Sequence, residues 1–169
     1  MTDVLICGAG PTGLALAIEL ARRGVALRIV ERNSVPPIDA RALIVKPSTL
    51  HAAEHLGVLD EILAQCVRAE SVEYSYEGRP VALATSPDER WPWSINLGED
   101  QLIPILSARL EGLGVVIERG LEVTDIEQRD GAVRAVLRDR AGDEQTTDID
   151  WLIGCDGVHS VVRQNAGIA

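Results

Sequence analysis

The sequence predicts an α/β fold: a parallel sheet with helices, an antiparallel meander, and a partial second sheet that begins with a hairpin. Three patterns carry that expectation. The run Val4-Leu5-Ile6-Cys7 is continuously apolar, as strands buried on both faces are, and it opens a strand–helix–strand unit. Trp151-Leu152-Ile153-Gly154-Cys155 offers another buried parallel strand. Between them lie short segments punctuated by Asp130-Gly131, the strongest hairpin signal in the chain.

The strand over 4–7 breaks at Gly8-Ala9-Gly10-Pro11-Thr12-Gly13, and a helix rich in Ala and Leu follows over 14–23. Pro11 suits a first helical turn, where a missing N–H loses no partner. Gly24 ends the helix, and 25–30 reads as the second strand of a Rossmann-like unit. The connection 33–40 is turn-rich, with Pro36-Pro37 in its middle. Helices are expected over 49–56, after Lys46-Pro47-Ser48, and over 59–65, with Gly57 between them. Residues 67–76 and 80–84 read as one hairpin turning at Glu77-Gly78, and 85–96 as loop. Leu102, Ile105, Leu106 and Leu110 have helical spacing within 101–113. Pro104 fits a first turn, which puts the cap at Asp100 or Gln101. A third parallel strand is expected over 115–118 and the meander over 121–128, 132–138 and 145–147. After the strand at 151–155, Asp156-Gly157 leads into a short helix ending at Ala166.

A chain of 169 residues suits one domain, or one with an appendage. No apolar stretch approaches the ~18 residues of a membrane span, and Met1-Thr2-Asp3 lacks the basic region of a secretory signal. Lys and Arg total 16 against 26 Asp and Glu, a net charge of −10, the wrong sign for a nucleic-acid partner held by phosphate neutralisation. Cys7, Cys66 and Cys155 are odd in number with no CxxC spacing, which fits neither a disulfide framework nor a zinc knuckle. They read as small buried hydrophobes in a reducing, cytoplasmic compartment.

Gly8, Gly10 and Gly13 have the dinucleotide-binding spacing in the strand–turn–helix context it requires. The first glycine permits the tight turn, the second the close approach of a pyrophosphate, and the third the close packing of helix on strand. The helix N-terminus adds unpaired N–H groups and partial positive charge. Glu31, ending the second strand, can accept hydrogen bonds from an adenosine ribose. His51 and His55 stand one helical turn apart without a third ligand and read as a solvated helix face. His159 reads as loop packing, and 125–130 as the wet face of a hairpin. No nucleophile–base constellation is visible.

Together these residues resemble the aromatic-hydroxylase group of FAD-dependent monooxygenases, the para-hydroxybenzoate hydroxylase fold. The likeness runs through Gly8-Ala9-Gly10-Pro11-Thr12-Gly13-Leu14, Val30-Glu31-Arg32, Arg41-Ala42 and Gln101. Its most diagnostic part is Trp151 to Ser160 with Arg163, which looks like that family's DG motif and is not shared by nicotinamide dehydrogenases. The resemblance implies FAD as cofactor and NAD(P)H as co-substrate. It implies that Gly8, Gly10, Pro11, Thr12, Gly13, Glu31 and Arg32 surround the adenosine and pyrophosphate. Arg41 and Gln101 would lie along the pyrophosphate and ribityl chain, with Asp156 near the pyrophosphate. In such enzymes NAD(P)H reduces the flavin and oxygen supplies a hydroxyl to an electron-rich ring. That chemistry belongs to the cofactor, and no residue here is assigned as an acid or base.

Two departures from the family pattern bear on function. The family's further Gly-Asp segment lies well beyond the DG motif, and this chain ends at Ala169 before reaching it. Trp91-Pro92-Trp93-Ser94-Ile95 resembles the tryptophan signature of flavin halogenases, but it precedes the DG motif and carries Asn96 where proline is expected, so loop packing is the reading. The resemblance places 1–66 and 97–169 in an FAD-binding domain incomplete at its C-terminal end, and 67–96 at the start of a substrate domain. The first function class is therefore the N-terminal FAD-binding part of a hydroxylase acting on an aromatic or related small molecule. Turnover would then await a missing C-terminal half or a partner chain. The second is a non-catalytic dinucleotide-binding or interaction module derived from such an enzyme. In either case the hairpin over 67–84 is expected to leave open edges and an apolar face, leading to self-association, domain swapping or local disorder there.

Overall fold

The computed structural model describes residues 3–36, 42–84 and 88–168. The chain divides into two compact units, one formed by Met1–Pro37 with Leu106–Ala169 and the other by Ile38–Ile105.

The first unit is built on four parallel strands in the order β12 (Trp151–Gly154), β1 (Val4–Cys7), β2 (Leu27–Glu31), β8 (Ile117–Arg119). β1 is central, which is why its four residues are all buried and why its sequence is unbroken by polar residues. Helix α1 (Pro11–Arg22) packs on β1 and β2. Its buried residues Gly13, Leu14, Ala17 and Ile18 recur at helical spacing. Leu5 and Cys7 point to the opposite face of the sheet, where β9 (Leu121–Arg129), β10 (Ala132–Asp139) and β11 (Glu144–Ile149) form the antiparallel meander. Val123, Val133, Ala135, Leu137 and Ile149 close that side of the core. The outer face carries cross-strand pairs such as Arg134 with Asp148 and Arg138 with Glu144. At the far edge of the sheet, Arg28 makes a bidentate pair with Glu118, both contacts at 2.7 Å.

β12 differs from expectation. The sequence predicts a buried strand, yet Trp151 is 70% exposed. The reason is its place at the end of the sheet order, with one pairing partner, β1.

The second unit contains α2 (Pro47–Leu56), α3 (Leu59–Gln65) and an antiparallel sheet in the order β3 (Ala42–Val45), β7 (Ser94–Gly98), β4 (Val67–Ala69). Two expectations are corrected here. Part of the anticipated loop 85–96 is the start of β7, the central strand, whose Ile95 and Leu97 are buried in strict alternation. The anticipated single strand over 67–76 is two: β4 pairs with β7, whereas β5 (Val72–Tyr76) pairs with β6 (Arg79–Ala84). The β5–β6 turn lies at Glu77-Gly78 as anticipated, and Glu77 takes a positive φ there. Helix α4 (Glu99–Glu111) starts two residues earlier than the anticipated 101, and Pro104 lies inside it rather than in its first turn. The early start follows from Gln101, whose side-chain oxygen accepts the Gly98 N–H and so caps the helix from within. Among the described residues no helix is long and apolar enough to cross a membrane.

Candidate dinucleotide site

The glycine-rich loop is pinned at its start. Gly8 donates its N–H to the Val30 carbonyl of β2 at 2.8 Å, and Cys155 donates its own to the Cys7 carbonyl of β1 at 2.7 Å. Gly8 has φ +101°, open to glycine and strained for other residues. A Cβ there would lie 2.4 Å from the Cys155 carbonyl oxygen and 2.9 Å from the Asp156 nitrogen. The Cys155–Asp156 peptide therefore lies directly against the loop. Gly13 serves a second close approach: a Cβ on it would stand 2.0 Å from the Gly8 carbonyl oxygen. Gly10 is different, because a Cβ on it would meet nothing within 4 Å.

Gly10 is also the residue that caps α1, with Pro11 at the first helical position and Leu14 donating to the Gly10 carbonyl at 2.9 Å. No side chain caps this end, and no acidic residue lies in its first turn. The N–H groups of Thr12 and Gly13 precede the first intrahelical bond, and Thr12 is exposed. An anion is the complement of this end.

Glu31 ends β2 with its carboxylate turned onto the loop. One oxygen accepts the Ala9 N–H at 2.9 Å, and the other accepts the Asn33 N–H at 2.9 Å and its side-chain amide at 2.8 Å. Oε1 already takes two donors, so the capacity left for a hydroxyl donor lies on Oε2, which accepts only the Ala9 N–H. Arg32 is exposed beside it. Asp156 spends its carboxylate on its own neighbourhood: Oδ1 accepts from Ser160 Oγ at 2.5 Å, and Oδ2 accepts the Val161 and Val162 N–H groups at 2.7 and 3.2 Å. It thus ties the segment beside the glycine loop to helix α5 (Val161–Asn165).

The structure brings Gly8, Gly10, Pro11, Thr12, Gly13, Glu31 and Asp156 together in the first unit. Gln101 belongs to the second unit, where it caps α4 and reaches the Gln65 carbonyl at 3.5 Å. Arg41 lies outside the described residues. The sequence reading missed Ala9, whose backbone N–H meets Glu31, and Asn33, which fixes that carboxylate from the other side. Neither has a side-chain signal of binding. It also passed over the role of Ser160, although a serine ahead of Val161-Val162 is a recognisable helix start.

Two thiols border the site and stay protonated. Burial pushes Cys7 up to about 12, with the Asp156 carboxylate adding to it, and Cys155 is raised for the same two reasons. They act as packing groups. Elsewhere, His51 pairs with Asp88 at 2.9 Å on the exposed face of α2. Trp91 and Trp93 meet edge-on at 5.3 Å, with the Arg68 guanidinium 4.4 Å above the Trp93 ring.

A βαβ unit with an uncapped helix end, an open Gly10 and an acid on the loop has the features of a dinucleotide-binding domain, and the Cys155–Asp156 peptide against the loop belongs to the segment that resembles the DG motif of FAD-dependent monooxygenases. The chain belongs to the FAD-binding domain family, whose pattern it matches over residues 1–169. It is 38% identical to 6-methylpretetramide 4-monooxygenase of Streptomyces rimosus over 98% of this chain and 30% of that protein. It is 31% identical to pentachlorophenol 4-monooxygenase of Sphingobium chlorophenolicum over 98% of this chain and 32% of that protein. Among solved structures, OxyS anhydrotetracycline hydroxylase from Streptomyces rimosus superposes with a TM-score of 0.89 at 30% identity, covering 99% of this chain and 34% of that one. The chain thus spans about a third of the length of these relatives.

Proposed function

We propose that this chain is the FAD-binding part of a flavin-dependent monooxygenase that hydroxylates an aromatic or related small molecule with NAD(P)H and oxygen. The observation that carries the reading is the glycine loop itself, open at Gly10, overlain by Glu31 and closed from beneath by the Cys155–Asp156 peptide. The relatives' names support the reaction class. FAD supplies the redox chemistry when bound; the residues here bind and orient it. In this reading the first turn of α1 takes the pyrophosphate and Gly10 lets it approach. Glu31 accepts from the ribose hydroxyls, and Arg32 and Arg41 add positive charge near the phosphates. Gln101 lies along the ribityl chain, and Asp156 holds the segment under the loop.

The domain division at 1–66 with 97–169, and 67–96 as the start of a substrate domain, belongs to the same proposal. So do a cytoplasmic location, a substrate pocket formed largely by residues beyond these in the same polypeptide or a partner chain, and self-association through the β5–β6 hairpin.

Titration of the purified chain with FAD, read by flavin fluorescence, tests the proposal, with NADH and ADP as controls. Tight FAD binding that is lost in Gly10→Val and weakened in Glu31→Ala is the expected result. Equal weak binding of all three ligands refutes it and favours a non-catalytic module.

A further inference from the structure

Ser160 is the one polar residue classed as buried among the described residues, at 6% exposure, and its hydrogen bonds run to Asp156, Gly157, Arg163 and Gln164. Its hydroxyl donates to Asp156 Oδ1 at 2.5 Å and accepts the Arg163 N–H at 2.9 Å. Its own N–H donates to the Gly157 carbonyl at 3.1 Å. Asp156 Oδ2 takes the next two free N–H groups of α5, those of Val161 and Val162. The guanidinium of Arg163 folds back to the Val158 carbonyl at 2.9 Å. The turn from Asp156 to Ser160 is therefore closed on itself at every polar group named.

Two steric contacts extend this closure to the glycine loop. On one side, a Cβ on Gly154 would lie 2.9 Å from Val162 Cβ, so α5 sits tightly on the end of β12. On the other, the Cys155–Asp156 peptide fills the space a Gly8 side chain would need, and Cys155 holds β1 through the Cys7 carbonyl. A shift of Asp156 would move that peptide and release its hold on Gly8.

We propose that Ser160 is a positioning residue for the FAD loop: through Asp156 it fixes the Cys155–Asp156 peptide against Gly8, and so sets the loop in its binding shape without touching the cofactor. The inference rests on the reading of this loop as an FAD site. Packing alone would not require a hydroxyl at this position; two satisfied hydrogen bonds in a buried site make the group costly to remove and specific in geometry.

The test uses the full chain as wild type, Ser160→Ala, Ser160→Thr and the milder Ser160→Cys. Backbone amide exchange is measured without ligand, and FAD affinity by flavin fluorescence. Ser160→Ala should speed exchange at Gly8, Ala9 and Cys155 as well as at Val161 to Arg163, and weaken FAD binding by about tenfold, the effect of roughly one buried hydrogen bond. Ser160→Thr, which keeps the hydroxyl, should restore both, and Ser160→Cys should fall between. Should Ser160→Ala fail to fold, the Ser160→Cys and Ser160→Thr pair decides the matter by the same two readouts. Faster exchange confined to Val161 to Arg163, with unchanged FAD affinity, overturns the proposal and leaves Ser160 as a helix cap alone. No FAD uptake by the wild type refutes the FAD reading instead, while exchange at Ala9 and Cys155 still decides whether Ser160 positions the loop.

Discussion

Alanine at Gly13 and at Gly10 should separate packing from ligand contact within one short loop. A Cβ on Gly13 would stand 2.0 Å from the Gly8 carbonyl oxygen, 3.1 Å from its carbon and 3.2 Å from Cys155 Cβ. The first two neighbours are backbone, and Gly8 is held to Val30 by a 2.8 Å hydrogen bond. Relief would require lifting α1 from the sheet by more than an ångström, on a face where Leu14, Ala17 and Ile18 have no solvent exposure. Overpacking costs about 1–3 kcal/mol where side chains can yield. With backbone opposite, Gly13→Ala should sit at the upper end, about 3 kcal/mol or more. A Cβ on Gly10 meets nothing within 4 Å, and the φ there is −75°, open to any residue. Gly10→Ala should leave unliganded stability within about 0.5 kcal/mol of wild type, yet place a methyl group where the proposed FAD site brings the pyrophosphate. Urea unfolding by circular dichroism, with FAD titration of each variant, reads both effects. Wild-type stability in Gly13→Ala, or wild-type FAD affinity in Gly10→Ala, would refute the assignment of the two glycines.

Two further outcomes are expected. Cys7 is raised from 9.0 to about 12 by burial, so the unfolded thiol ionises first; stability is full below 9.0 and falls as pH rises toward about 12. Cys7→Ala should flatten that alkaline slope by up to about 1.4 kcal/mol per pH unit, and an identical pH profile in urea melts counts against it. Tyr76 and Val81 are 69% and 64% exposed on the β5–β6 hairpin. Replacing both by lysine should reduce concentration-dependent association in sedimentation experiments, an account that fails if the wild type is monomeric at every concentration.

Where local pattern and tertiary environment agree, the chain is readable. β1, α1, β2 and the meander are legible because apolar runs, glycine spacing and the Asp130-Gly131 turn all point the same way. β7 is hidden because Trp91-Pro92-Trp93 suggests a loop and the alternation of Ile95 and Leu97 is only two residues deep. The division between β4 and β5 depends on which partner each strand finds, and no property of the sequence 67–76 marks it. At the site, the glycines and Glu31 carry their own signals. The roles of Ala9 and Asn33 arise only once β2 brings Glu31 to the loop. Gln101 and Asp156 stand out by resemblance, and in this structure both cap helices through side-chain oxygens. A polar residue at a helix start can thus owe its identity to local hydrogen bonding as much as to a ligand.

The position of β1 in the middle of its sheet has a consequence for how the chain acquires its fold. Val4 pairs on one side with Leu27 and on the other with Trp151, so one flank of this strand waits for a partner far along the chain. The segment Ile38–Ile105 lies wholly between the two halves of that unit in sequence. Closing so long a loop carries an entropic cost that is recovered only when β12 arrives. On a ribosome emitting the chain from its N-terminus, β1 and β2 would have an unfilled edge until β12 has been made. Completion of the parallel sheet, including the peptide that closes the glycine loop, therefore depends on non-local contacts, of the kind that slow folding. The nucleotide loop would become competent only when the rest of the unit is complete.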